Sequence, residues 1–166
     1  MDIKVIENRI RELERLIGKT PLLEIEYSYN GEVRRVFVKA ESYNFTGSIK
    51  DRMAIHILAK AYMQGLIKPG DQILEATSGN TGISFAALGS ALGHKVTIFM
   101  PDWMSEERKD LIRSFGAEVK LVSKEEGGFQ GCIRLTEKYA GQNEGVFLPC
   151  QFSNEYNVEA HYESTG

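Results

Sequence analysis

Two stretches of this 166-residue chain combine residue types that an ordinary connecting loop does not need. The first runs Glu41-Ser42-Tyr43-Asn44-Phe45-Thr46-Gly47-Ser48-Ile49-Lys50-Asp51-Arg52. Thr46, Gly47 and Ser48 have turn and helix-capping chemistry, which puts Lys50 in the first turn of the helix that follows. Helix dipoles favour anions at that end, so a lysine there is misplaced by up to ~1 kcal/mol. The same field, with some burial, moves a lysine toward a neutral, nucleophilic amine. Such an amine forms Schiff bases with aldehydes. On position alone the plainer reading, a surface lysine beside Asp51 and Arg52, stays open.

The second stretch is Glu75-Ala76-Thr77-Ser78-Gly79-Asn80-Thr81-Gly82, between an apolar strand and a small-residue helix. Its glycines let the backbone turn sharply and come close to a ligand. Free N–H groups at a helix start, with three hydroxyls and one amide, make an anion site suited to a carboxylate or phosphate. A capped strand-to-helix turn is the bland alternative. Gly18-Lys19-Thr20 imitates the end of a phosphate-binding P-loop, but Leu13 stands where that motif needs glycine and Pro21 follows at once. No GxGxxG fingerprint occurs, so a dinucleotide site has no support.

The elements that must hold these stretches follow from periodicity. Ile3, Val5, Ile6, Ile10, Leu13, Leu16 and Ile17 predict a helix over 3–17, ended by Gly18 and Pro21. Leu22–Tyr27 and Val33–Val38 read as strands joined at Asn30-Gly31, a hairpin signal. Beyond them helices are expected at 49–64, 83–92, 105–115 (with Ser105 as N-cap) and 129–139, and strands at 72–76, 95–100, 118–122 and 146–148. Strands alternating with long helices require parallel pairing through crossovers. The expected class is α/β, a small parallel sheet covered by helices.

Twenty Lys+Arg against twenty-three Asp+Glu leaves a net charge of −3, without the basic footprint of a nucleic-acid binder. Cys132 and Cys150 form no CxxC pair, and His56, His94 and His161 are scattered, so neither a metal site nor a disulfide framework is expected. No apolar run approaches the ~20 residues that span a bilayer, and the charged N-terminus lacks a signal-peptide core. A cytoplasmic protein without membrane or nucleic-acid partners is expected.

Taken together, the motifs resemble the fold-type-II pyridoxal-phosphate (PLP) enzymes, specifically the cysteine synthase and cystathionine β-synthase family. The resemblance runs in order through Ile17-Gly18-Lys19-Thr20-Pro21-Leu22, Gly47-Ser48-Ile49-Lys50-Asp51-Arg52, Thr77-Ser78-Gly79-Asn80-Thr81-Gly82, Gln151-Phe152-Ser153-Asn154 and His161-Tyr162-Glu163-Ser164-Thr165-Gly166. It implies a three-layer, tryptophan synthase β-like fold. It implies that Lys50 carries PLP as an internal aldimine and then serves as the base at the substrate's Cα. Asn80 is implied to contact the 3′-oxygen of the cofactor ring. Thr77, Ser78, Gly79, Asn80 and Thr81 are implied to grip the amino-acid carboxylate, with Gln151 as a further donor. The implied reaction is β-elimination from O-acetylserine or cysteine, then addition of a thiol or sulfide, with PLP as electron sink.

Departures from the family pattern sharpen these expectations. The family carries Asn-Pro before its lysine motif, whereas this chain has Asn44-Phe45, which suggests a different loop or pocket wall. Lanthionine-forming relatives, which join two cysteines, are therefore an alternative, as is a non-catalytic binding or assembly domain that keeps the fold. Family members are about twice as long, and their second half supplies a glycine-rich phosphate loop that Gly127-Gly128 does not reproduce. The chain is thus expected to be an incomplete, N-terminal portion. Residues 1–40 would form a helix and hairpin that normally pack with the missing large domain, and residues 41–166 a small α/β domain carrying Lys50. An unpaired apolar hairpin invites pairing with another chain, so a homo-oligomer or self-associating fragment is expected.

Overall fold

Ile6, Ile10 and Leu13 recur at helical spacing, and the helix they define, α1 (Ile3–Glu14), buries all three. The computed structural model describes residues 2–166. Asp2 caps α1 by accepting from the Lys4 N–H at 3.0 Å. The helix stops three residues short of the predicted end because Leu16 is exposed, so no buried face holds another turn. The chain then forms a hairpin of β1 (Leu22–Tyr29) and β2 (Glu32–Lys39), paired from Leu22↔Lys39 to Tyr29↔Glu32. Asn30 and Gly31 supply the two positive φ angles, +51° and +78°, that a tight hairpin turn requires.

The other strands make one parallel sheet: β3 (Gln72–Ala76), β4 (Val96–Pro101), β5 (Glu118–Val122) and β6 (Val146–Phe147). Their order is β5-β4-β3-β6, every neighbouring pair parallel. The chain therefore moves outward from β3 to β5 and returns to the opposite side of β3. That reversal opens a crevice between the loops that leave β3 and β6, the place where ligands sit in open α/β sheets.

Side chains alternate across the sheet and feed two cores. Ile73, Val96, Ile98 and Met100 face α2 (Lys50–Met63) and α3 (Asn80–Ala91), together with α1. Leu74, Ala76, Phe99 and Val122 face α5 (Gly128–Gln142) through Cys132 and Ile133. Helices on both faces of a parallel sheet make the three layers expected from the sequence. No helix among the described residues is long and apolar enough to cross a membrane.

Two further elements differ from expectation. Helix α3 starts at Asn80, ahead of the apolar run from Ile83, and Gly82 in its first turn lies against Thr77 and Ile98 where no side chain fits. A sixth helix, α6 (Glu155–Ser164), follows Asn154, whose side chain accepts from the Tyr156 N–H at 3.0 Å. It buries only Ala160 fully and so carries little apolar periodicity. Helix α4 (Glu106–Ser114) has Ser105 at its N-cap position as predicted, but the hydroxyl makes no capping bond.

Candidate functional site

Lys50 is the first residue of α2, and its N–H donates to the Ser48 hydroxyl at 3.2 Å. The preceding turn depends on Gly47, whose φ of +87° lies in the left-handed region. Asp51, next along the helix, is fully buried and works as a brace. It accepts from the Thr46 N–H at 2.6 Å, from the Thr46 hydroxyl, and from the Ser84 hydroxyl at 2.6 Å. Ser84 lies one turn beyond Asn80 and also contacts the Asn80 carbonyl at 3.0 Å. The carboxylate thus ties the first turn of α2, with Lys50, to the first turn of α3, with Asn80.

A second brace lies behind Lys50. Arg52, nearly fully buried, donates through Nε and Nη2 to Glu41 at 2.7 and 2.8 Å and through Nη2 to Thr20 at 3.1 Å. Glu41 also accepts from Thr20 and Asn44, and Asn44 accepts from the Gly18 N–H at 2.8 Å. Those hydrogen bonds, led by Arg52, hold the Glu41 carboxyl down at about 2. Gly18-Lys19-Thr20 is therefore tied to the segment that precedes Lys50 and is no phosphate loop. His161, on α6, has its pKa lowered by burial and by the nearby Lys50 and Arg52 cations.

The Thr77–Asn80 loop leaves β3 on one side of the crevice, and Gln151 approaches from the other. Thr81 donates to Gln151 Oε1 at 2.6 Å, and Gln151 Nε2 donates to the Ala76 carbonyl at 3.3 Å. The Gln151 N–H reaches Glu75 Oε2 at 3.4 Å. Glu75 is 4% exposed, and burial raises its pKa to about 8, against the pull of the backbone N–H groups it accepts from. In this arrangement the Gln151 amide is committed to the loop, whereas Ser78 and Asn80 are exposed.

All the predicted site residues meet in one cavity of about 340 Å³: Lys50, Thr77, Ser78, Gly79, Asn80, Thr81 and Gln151. Two more line it that sequence reasoning missed, Arg108 and Phe152. Phe152 lay within a motif already noted, but nothing in its spacing marks it as a wall. Phe45 is not among the lining residues, which leaves the loop rather than the pocket wall as the place where that departure acts. The donor set suits an amine-tethered aldehyde cofactor and a carboxylate, since the lining holds two cations and no carboxylate. A phosphate cradle is a different matter. Gly127 and Gly128 pack against Arg134 and Trp103 at the start of α5 and do not line the cavity.

Among the described residues, one group has metal-ligand spacing: His56, Glu159 and Glu163, between α2 and α6. Lys60 already neutralises Glu159 at 2.6 Å, so the group reads as an ionic seam between the helices.

Residues 13–166 match the family of pyridoxal-phosphate dependent enzymes. Cysteine synthase B of Escherichia coli (strain K12) is 43% identical over 154 residues, covering 93% of this chain and 50% of that protein. The crystal structure of a hydrogen sulfide-producing enzyme from Fusobacterium nucleatum superposes with a TM-score of 0.92 at 60% identity, covering 96% of this chain and 48% of that one. A variant of a hydrogen sulfide-producing enzyme complexed with an α-aminoacrylate intermediate gives 0.93 at 61%, covering 95% and 47%. The chain thus spans about half the length of the relatives it matches.

Proposed function

This chain belongs to the pyridoxal-phosphate dependent enzymes, and from that premise we propose that it carries the lysine side of a site for β-elimination and β-replacement on O-acetylserine or cysteine. The observation that supports this most is the convergence of Lys50, the Thr77–Thr81 loop and Gln151 on one cavity. When bound, the cofactor supplies an electron sink for the pair of electrons left at Cα. Lys50 holds the cofactor's aldehyde carbon and moves the proton at the substrate's Cα. Ser78, Asn80 and the N–H groups at the start of α3 bind the substrate carboxylate. The Asn80 amide would also orient the cofactor ring when it is bound. Thr81 and Gln151 keep that loop in place through their mutual bond.

Adding PLP to the purified chain tests the reading directly. We expect a visible absorbance band that borohydride bleaches, with the reduced adduct mapped to Lys50 and lost in Lys50→Ala. A wild-type chain that gives no such adduct at millimolar PLP acts as a binding or assembly domain instead, and the catalytic reading fails for it.

A second reading within the same chemistry is a lanthionine-type synthase, in which two cysteines give one thioether and one sulfide. It is favoured by the higher identity to the sulfide-producing enzyme, 60%, than to cysteine synthase B, 43%. Release of one sulfide per thioether from cysteine alone would distinguish it from sulfide consumption.

A further inference from the structure

Helix α4 carries three cations within six positions, and two of them are satisfied locally. Lys109 pairs with Glu106 at 2.7 Å, and Arg113 with Asp110 at 3.0 Å. Arg108 is not. Its neighbours at three and four residues are Met104, Ser105, Leu111 and Ile112, none of which can accept a charge. Among the described residues it makes no hydrogen bond or ion pair, although it is exposed and free to reach outward.

Its side chain turns toward the cavity and lies along the bare backbone of Gly79. Arg108 Nε and Cζ come within 3.5 and 3.7 Å of the point where a Cβ on Gly79 would stand. Gly79 is the N-cap of α3, the end of a helix that repels cations. The other charge in the lining is Lys50, also at a helix start, and no carboxylate faces either of them. Two cations and two helix N-termini around one cavity, in a chain whose net charge is −3, are arranged for an anion to come between them.

We infer that Arg108 is a binding residue of this site, closing over the α-carboxylate of an amino acid seated on the Thr77–Thr81 loop. The assignment rests on the reading of that loop as a carboxylate site, and it adds a donor on a different helix. A guanidinium offers a planar fork to both carboxylate oxygens, which an ammonium cannot. The amino acid is thereby held from two sides, by α3 below and α4 above.

The experiment titrates the ¹⁵N-labelled chain with L-serine and, separately, with ethanolamine, which is serine without its carboxylate. L-Serine is expected to shift the Gly79, Asn80 and Thr81 amides and the Arg108 Nε resonance, and ethanolamine to shift none of them. Arg108→Gln should weaken L-serine binding about tenfold, the scale of one charge-assisted pair, with Arg108→Lys intermediate. Arg108 is exposed and makes no hydrogen bond or ion pair among the described residues, so the variants should keep the wild-type melting temperature. Equal affinity in wild type and Arg108→Gln, or equal response to ethanolamine, overturns the assignment. So does the absence of any loop shift at 50-fold the protein concentration and above, up to tens of millimolar serine. Borohydride trapping of PLP at Lys50 is run on the same Arg108→Gln sample. Its survival there separates a failure of this assignment from a failure of the catalytic reading.

Discussion

Replacing Glu75 with Gln should make the protein less sensitive to pH, and the size of the change follows from where the carboxyl sits. Glu75 is 4% exposed at the end of β3, and burial raises its pKa from 4.5 to about 8. Between those values the folded state holds a proton that the unfolded chain has released, so stability falls as pH rises from about 4.5 to about 8 and is level above that. At ~1.36 kcal/mol per pH unit, the full difference is a ceiling of about 5 kcal/mol. Relaxation and water entry around a newly charged group bring the expected loss to about 2–3 kcal/mol. Glutamine has the shape of the neutral acid and keeps one oxygen for the Ala76 or Gln151 N–H. Urea unfolding of both proteins at half-unit steps from pH 5 to 9 is the assay. The two should match near pH 5 and separate steadily to pH 8, with Glu75→Gln the more stable. Parallel curves across the whole range would show that Glu75 is ionised in the fold, and the reasoning would fail.

The acid limb belongs to Glu41, whose depressed pKa of about 2 contributes stability above pH 4.5 that is lost as pH falls toward 2; Glu41→Gln should remove about 2 kcal/mol of that slope in the same urea series. Ser84→Ala takes one donor from the buried Asp51 carboxylate and should cost ~1–3 kcal/mol, with faster borohydride-independent loss of PLP from Lys50 on dilution; a variant that holds PLP as long as wild type would show that the Asp51–Ser84 brace does not position Lys50. The hairpin presents Leu23, Ile25, Tyr27, Tyr29, Val36 and Val38 on one exposed face, so sedimentation should reveal concentration-dependent association that Ile25→Lys with Val36→Lys abolishes. A strictly monomeric wild-type chain at 0.1 mM or so would refute that.

The parts of the fold that were legible are those whose own residues carry the period. Gln72–Ala76 is a short, mostly apolar run and Glu118–Val122 alternates charged with apolar residues, and both strands have the predicted ends. The start of α3 carries no apolar period, since Asn80, Thr81 and Gly82 present no apolar side chain and Gly82 packs closely on Ile98. Helix α6 was missed for a related reason. Its exposed Val158 and Tyr162 break the apolar stripe, and it is held to α2 by His56, Lys60 and Glu159 instead. Lys50 and the Thr77–Thr81 loop drew notice because each sits at a helix start, but position alone left plainer readings open and the ordered motifs around them singled them out. Arg108 could not be found by local geometry, since it reaches the site only through the packing of α4 beside α3. The one signal available was its lack of an acidic neighbour at helical spacing.

The bond between Thr81 and Gln151 joins residues seventy positions apart, at the start of α3 and after β6, that become neighbours only because β6 returns to the far side of β3. During synthesis, at ~5–20 residues per second, Lys50 and its loop leave the ribosome several seconds before Gln151 does. Until β6 docks, the Thr81 hydroxyl has no Gln151 to hold and the crevice has one wall. The second wall of the crevice is therefore added only after α2 and α3, which carry Lys50 and Asn80, have left the ribosome.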